Sequence, residues 1–258
     1  MARIKRIGTC HICGEHGPLS FEHVPPRRAF NDRPVVRVDF EEAMELGPDV
    51  AAKGPIQQRG SGGHTLCPRC NNKTGSWYGK HFIDWCYQGM DILVRSRGNP
   101  TLIHLNYLFP LPVIKQIATM FFSINSDRFH TGNQELVRFV LNREARGLSP
   151  TFRFFVYYNT QGLIRSTGVM AAMKIGSAPS LLSEFSYPPF GYMMTIDSDP
   201  PDNRLFEITH FAHYAYNEFK VMTLKLPVLP THLAIPGDYR TKKEIYQQMR
   251  AQRRSKRA

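Results

Sequence analysis

No stretch of the 258 residues approaches the roughly 18 consecutive apolar positions that a membrane span requires, and the opening MARIKRIGTC has no apolar signal segment. These absences predict a soluble, cytoplasmic protein in a reducing compartment, with no membrane partner. Cysteine is scarce, at five residues, and in such a compartment a disulfide framework is not expected. Acidic residues are in deficit as well: 21 Asp and Glu face 33 Lys and Arg, for a net charge of +12. Beyond residue 98 the sequence contains no repeat and no catalytic motif.

Hydrophobic residues make up 42% of the chain and aromatics 12%, which excludes wholesale disorder. The length exceeds that of a zinc module and suggests two units, one stapled by metal and one ordinary. The positive charge is concentrated. Residues 240–258 hold eight Lys and Arg against one acidic residue, residues 1–80 hold twelve against eight, and the middle is nearly neutral. Basic charge beside the cysteines and in a tail suits a polyanion, because neutralising phosphates releases counterions. A merely solvated tail would have the same composition.

Four of the cysteines form two C-x2-C pairs, Cys10/Cys13 and Cys67/Cys70. Each pair makes a tight knuckle that presents two sulfurs, and four thiolates suit tetrahedral Zn2+ with metal–sulfur bonds of about 2.3 Å. Such a metal has no open coordination position, so any chemistry lies elsewhere. The fifth thiol, Cys86, reads as a buried apolar side chain. Between the pairs stands Glu22-His23, and the second pair runs straight into Asn71-Asn72. An imidazole is a suitable base for taking a proton from water at neutral pH, and a carboxylate and an amide oxygen are hard ligands suited to Mg2+. On a regular strand Glu22 and His23 would point to opposite faces unless the backbone bends. Asn71 and Asn72 would also serve as helix caps, Asn72 more simply so.

Residues 8–24 read as a knuckle and hairpin, with the turn at Gly14 to Pro18 and Pro25-Pro26 ending the strand. From Arg27 to Gly63 the chain reads as a loop-like insertion with a short helix over Phe40–Leu46, and Gly60, Gly62 and Gly63 permit a flexible return to a strand over His64–Leu66. Apolar spacings of three and four predict a helix over Asn71–Arg95, with Trp77 and Tyr78 in the core rather than stacking on bases. A break follows at Arg95 to Asn99. Helices are expected over Pro112–Ile124 and Asn133–Arg143, then strands over Phe152–Tyr158, Ile164–Ile175, Gly191–Ile196, Leu205–Tyr214 and Val221–Leu226. From Lys242 onward a frayed basic helix or disordered arm is expected.

Taken in order, C-x2-C, LSFEHVPP and TLCPRCNNKTG give roughly the first 80 residues a resemblance to HNH endonucleases of the ββα-metal type. The resemblance implies an α+β protein, with a zinc-stapled HNH-like domain over residues 1–97. An α+β domain rich in antiparallel strands (98–239) and a basic tail (240–258) would follow. It implies His23 as general base, Glu22 and Asn71 as ligands or positioners of one catalytic divalent metal such as Mg2+, and Cys10, Cys13, Cys67 and Cys70 around a structural zinc. Arg27, Arg28, Arg69, Lys73 and Lys80 are candidate phosphate contacts, with His64 and Asn72 as accessory candidates. The activity implied is hydrolysis of phosphodiester bonds in nucleic acid, double-stranded DNA first, leaving 5'-phosphate and 3'-hydroxyl ends. Residues 98–239 would then bind a protein partner, a small-molecule signal or the nucleic acid. Relatives of this kind often serve mobile elements or phage defence. The competing expectations are an inactive zinc-stapled DNA-binding or adaptor protein, and a structural zinc domain on an interaction module. The sequence departs from the family pattern in three ways. Glu22 replaces Asp, the insertion is long, and Gly62, with Ser61 and His64 nearby, stands where relatives place an asparagine that braces the loop beside the base.

Overall fold

The computed structural model describes residues 6–45, 47–51, 53–98, 103–172 and 179–255. Strand β1 (Arg6–Thr9) runs into the first cysteine knuckle, and β2 (His16–His23) leaves it antiparallel, pairing Thr9 with His16 and Arg6 with Leu19. The expected turn at Gly14 to Pro18 lies earlier. The knuckle itself reverses the chain, with Gly14 at φ +73° and its N–H on the Cys10 carbonyl, so Gly17 and Pro18 already belong to β2.

In the insertion, β3 (Val35–Val36) pairs with β4 (Ile56–Gln57), and α1 (Phe40–Glu45) buries no side chain. The short helix expected there is present through Glu45, and Leu46 lies outside the described residues. Strand β5 (Gly62–Leu66) completes a three-stranded antiparallel sheet in the order β1-β2-β5. It pairs with β2 only from Ser20 to His23, so the donor that Pro18 lacks is not demanded by a third strand. A register shift opposite Ser20 and Phe21 leaves Thr65 without a partner and marks a bulge in β5.

Next comes one long helical run: α2 (Pro68–Thr74), a π-helical turn (Gly75–Gly79) and α3 (Lys80–Arg95). It begins three residues before the expected Asn71. Proline suits the first helical position, and the Cys67 Sγ accepts the Cys70 N–H at 3.4 Å, so a cysteine is the cap and Asn71 and Asn72 lie inside the helix. The run ends at Arg95, where the sequence breaks; residues 99–102 lie outside the described residues.

Strand β6 (His104–Leu108), α4 (Pro110–Ile124), α5 (Phe129–Gly132) and α6 (Gln134–Leu141) follow. Every residue of α4 from Pro110 to Ser123 is buried, as befits a helix apolar on nearly all sides. It packs against the π turn, α3, β5 and α6. A five-stranded antiparallel sheet comes next, made of β7 (Phe152–Tyr158), β8 (Arg165–Ala172), β9 (Ser180–Tyr187), β10 (Phe190–Ile196) and β11 (Phe206–Glu207) in the order β11-β7-β10-β9-β8. Strand β12 (Lys220–Leu224) pairs with β6, and α7 (Lys242–Ser255) forms the basic tail. The architecture is mixed helix and antiparallel sheet, as expected.

Two strands depart from the sequence pattern. The one expected over Leu205–Tyr214 is cut to β11, because the Thr209 hydroxyl takes the Phe154 N–H and the chain coils into a 3-10 turn over Thr209–His213. The one expected over Ile164–Ile175 is seen as β8, and residues 173–175 lie outside the described residues.

In β9, Glu184 is wholly buried. It accepts from Tyr157 (2.5 Å), Tyr239 (2.9 Å), Arg165 (2.9 Å) and the Gly237 N–H (3.0 Å). Arg165 also donates to the carbonyls of Leu233 and Asp238, clamping the segment before α7 onto the sheet. Glu184→Ala would strand the guanidinium in the interior and is expected to destabilise the protein by about 3–5 kcal/mol, read as a lowered urea midpoint at unchanged slope.

A single cluster of buried side chains runs from Cys10 and Ile12 through Tyr78, Phe82, Trp85 and Cys86 to α4, then on to Phe154, Phe190 and Tyr192. Residues on both sides of the expected boundary near 97 therefore share one core. Tyr78 belongs to it fully and Trp77 packs on its edge. No described helix is long and apolar enough to cross a membrane.

Candidate functional site

The four knuckle sulfurs lie within 4.8 Å of one another, and Cys13 and Cys67 are 3.8 Å apart. A tetrahedron with metal–sulfur bonds of about 2.3 Å has sulfur–sulfur edges of about the same length. All four are free thiols. Interaction with Cys70 is the strongest influence pulling the Cys10 thiol down to about 4, while Cys70 is pushed up by the same contact. A cation among the sulfurs would hold all four as thiolates. The cluster can therefore hold a metal ion, and it fastens the start of α2 to the mouth of the β1–β2 hairpin.

That fastening sets α2 across β2. The Asn71 amide donates to the Ser20 hydroxyl (3.0 Å) and the Phe21 carbonyl (3.3 Å), bridging helix to strand. Those are its partners, in place of a helix end, and its Oδ1 is left without a donor among the described residues. Glu22, His23 and Asn71 line one cleft of about 470 Å3, whose far wall is the helix face of Gly75, Gly79, Ile83 and Tyr87. Strict alternation separates neighbouring side chains in mid-strand; pairing is regular over Glu22 and His23, but β2 ends at His23, so both line the cleft from the end of the strand. The His23 ring also lines a second hollow of about 630 Å3 with Phe21, Arg27, Arg59 and His64.

Electrostatics differ sharply between the two neighbours. Burial pushes the Glu22 carboxyl up to about 8. The residue is 8% exposed, and no protein donor reaches its carboxylate among the described residues. Burial also lowers the His23 pKa; a hydrogen bond to the Arg59 backbone opposes this, and the Arg27 and Arg59 charges lower it further. The net effect keeps the ring neutral at pH 7, the form that can accept a proton.

The loop beside His23 is held by a residue the sequence pattern did not single out. Asn31 is completely buried, donates from Nδ2 to the carbonyls of Pro25 and Ser61 (both 2.7 Å), and accepts the Ser61 N–H at 2.7 Å. It ties the segment after His23 to the segment that includes Arg59 and thus braces the loop from within the insertion. The glycines serve this closeness and not a flexible return. A Cβ on Gly60 would collide with Asn31, and one on Gly62 with the Glu22 carbonyl. Asn31→Ala leaves the Pro25 carbonyl and the Ser61 N–H unpaired, while the Ser61 carbonyl keeps the Val24 N–H, so a loss of about 1–3 kcal/mol is expected, with faster hydrogen exchange at Ser61.

Of the basic candidates, Arg27, Arg28 and Lys80 line the cleft. Arg69 is paired instead with Glu15 at 2.7 Å, and Lys73 lies over the Trp77 ring at 4.7 Å; neither lines it. Asn72 is exposed on α2, away from the cleft. His64 packs edge-on to Phe21 in the second hollow. Arg59 and Arg6, also in that hollow, are cations the sequence pattern passed over. No family model, curated protein or solved structure matches the chain.

Proposed function

We propose that this protein is a metal-dependent endonuclease of the HNH, ββα-metal type that hydrolyses phosphodiester bonds of nucleic acid, double-stranded DNA above all. The observation that carries the proposal is the convergence of Glu22, His23 and Asn71 in one cleft, on a hairpin and a helix joined by a four-sulfur cluster. Four thiolates are a zinc donor set, so the metal assigned to the cluster is structural Zn2+.

A second, harder cation suits the cleft. The Glu22 carboxylate and Asn71 Oδ1 lack donors, and oxygen ligands of this kind suit Mg2+. Held there, the ion would supply positive charge to a nonbridging oxygen and to the departing oxygen of the substrate. His23, neutral and oriented through Arg59, takes a proton from water as the water oxygen bonds to phosphorus. The bond from phosphorus to the 3'-oxygen breaks, the 3'-oxygen gains a proton from solvent, and the ends are 5'-phosphate and 3'-hydroxyl. Arg27, Arg28 and Lys80 hold flanking phosphates, and the exposed Lys and Arg of α7 add attraction that falls with salt.

The test is incubation of zinc-loaded protein with supercoiled plasmid. Nicking that needs Mg2+ and stops with EDTA supports the reading. Salt-sensitive binding with no cleavage under any divalent ion makes the protein a DNA-binding adaptor instead.

A further inference from the structure

The cleft has a floor supplied from beyond residue 97. Gln116 of α4 lines it, is 1% exposed, and its Oε1 has no hydrogen-bond partner among the described residues. A buried amide oxygen left unpaired costs about 1–3 kcal/mol, and folded proteins seldom keep one without use.

The helix in front of it is opened by glycine. Gly75 and Gly79, four residues apart on the π turn, both line the cleft, and a Cβ on either would meet nothing within 4 Å. Packing does not require glycine at either place, and each glycine costs a helix about 1 kcal/mol relative to alanine. What the two glycines achieve is a helix face that brings no side chain into the cleft. Single π turns inside helices are frequent at functional sites.

Glu22, Asn71 and Gln116 thus line one cleft, and the Glu22 carboxylate, Asn71 Oδ1 and Gln116 Oε1 each have no donor among the described residues. A phosphate would bring further acceptors to them. A divalent cation that keeps several of its waters supplies what all three lack. We propose that Gln116 is a positioning residue of the divalent-cation site, accepting a hydrogen bond from a water of the hydrated ion, with Gly75 and Gly79 leaving the cleft room for that ion. The proposal rests on the nuclease reading only in taking Glu22 and Asn71 as the ligands.

The test is Mn2+ titration of the full-length, zinc-loaded protein without nucleic acid, with free Mn2+ counted by electron paramagnetic resonance. Gln116→Leu is expected to weaken Mn2+ binding by about 10- to 100-fold. Its melting temperature without Mn2+ should hold or rise, because an apolar side chain of similar size replaces an unpaired polar one. Gln116→Glu should bind Mn2+ at least as tightly as wild type. Gly79→Ala should weaken binding while raising the melting temperature. Unchanged Mn2+ affinity in Gln116→Leu, or lost affinity in Gln116→Glu, overturns the role of Gln116. If wild type binds Mn2+ and Glu22→Gln does not, the reading of Glu22 as a ligand survives that failure. If wild type binds no Mn2+, both fall together.

Discussion

His23→Ala is expected to slow Mg2+-dependent plasmid nicking by about 10²–10⁴-fold while zinc content and DNA binding stay at wild-type levels. The side chain has a half-buried position at the end of β2, so truncation removes a base without opening the core. The pH profile carries the same information. A base must be neutral to act, so the rate should climb with pH below the His23 pKa and level off above it. Burial and the nearby arginines depress that pKa, which places the bend below 6.5. Glu22 adds a separate dependence. Its carboxyl titrates near 8 in the absence of the ion, so binding the ion must expel a proton, and the Mg2+ needed for half-maximal rate should fall as pH rises toward 8 and then stay constant. A His23→Ala protein that nicks as fast as wild type, or a bend at or above 6.5, removes His23 from the role of base.

Cys70→Ser is expected to have the largest structural effect of any single substitution. Structural zinc sites are worth about 10–16 kcal/mol of apparent binding energy at neutral pH, and that energy is folding energy for the elements they join. Here those elements are the β1–β2 hairpin and the start of α2. The variant should carry no zinc by elemental analysis, against one per chain in wild type, and should not cleave. Hydrogen exchange should accelerate in β2, β5 and α2, while β7 and β10 keep their protection. Stripping wild-type protein with a strong chelator should reproduce this loss, and Zn2+ but not Mg2+ should reverse it. Full zinc occupancy and unaltered exchange in Cys70→Ser would show that the sulfurs are not a metal staple.

Legibility in the sequence followed how local the determining physics is. The knuckles, the α3 register, the buried α4 and strands β7, β10 and β12 all rest on spacings or apolar runs that a short window contains. Strands β6 and β9 were hidden because HLNYL and SLLSEFSY carry polar residues where an apolar pattern marks a strand. In β9 those residues are buried and satisfied by partners remote in sequence, such as Arg165 and Tyr239 for Glu184. The same is true of the site. Glu22, His23, Asn71 and the four cysteines sit in recognisable runs, whereas Asn31 earns its place through Ser61, thirty residues away, and Gln116 through glycines on another helix. The start of α2 differs from the one the spacing predicts because a cysteine sulfur takes the cap that a polar side chain usually provides.

Helix α4 fills the space beneath the π turn, and this bears on whether the N-terminal part can stand alone. Lifted out alone, residues 1–97 would turn Tyr78, Phe82 and Trp85 toward water and lose the floor of their own cleft. They are not an interchangeable cassette. A chimaera that kept the knuckles and borrowed α4 from an unrelated protein would need matching contours along the whole seam.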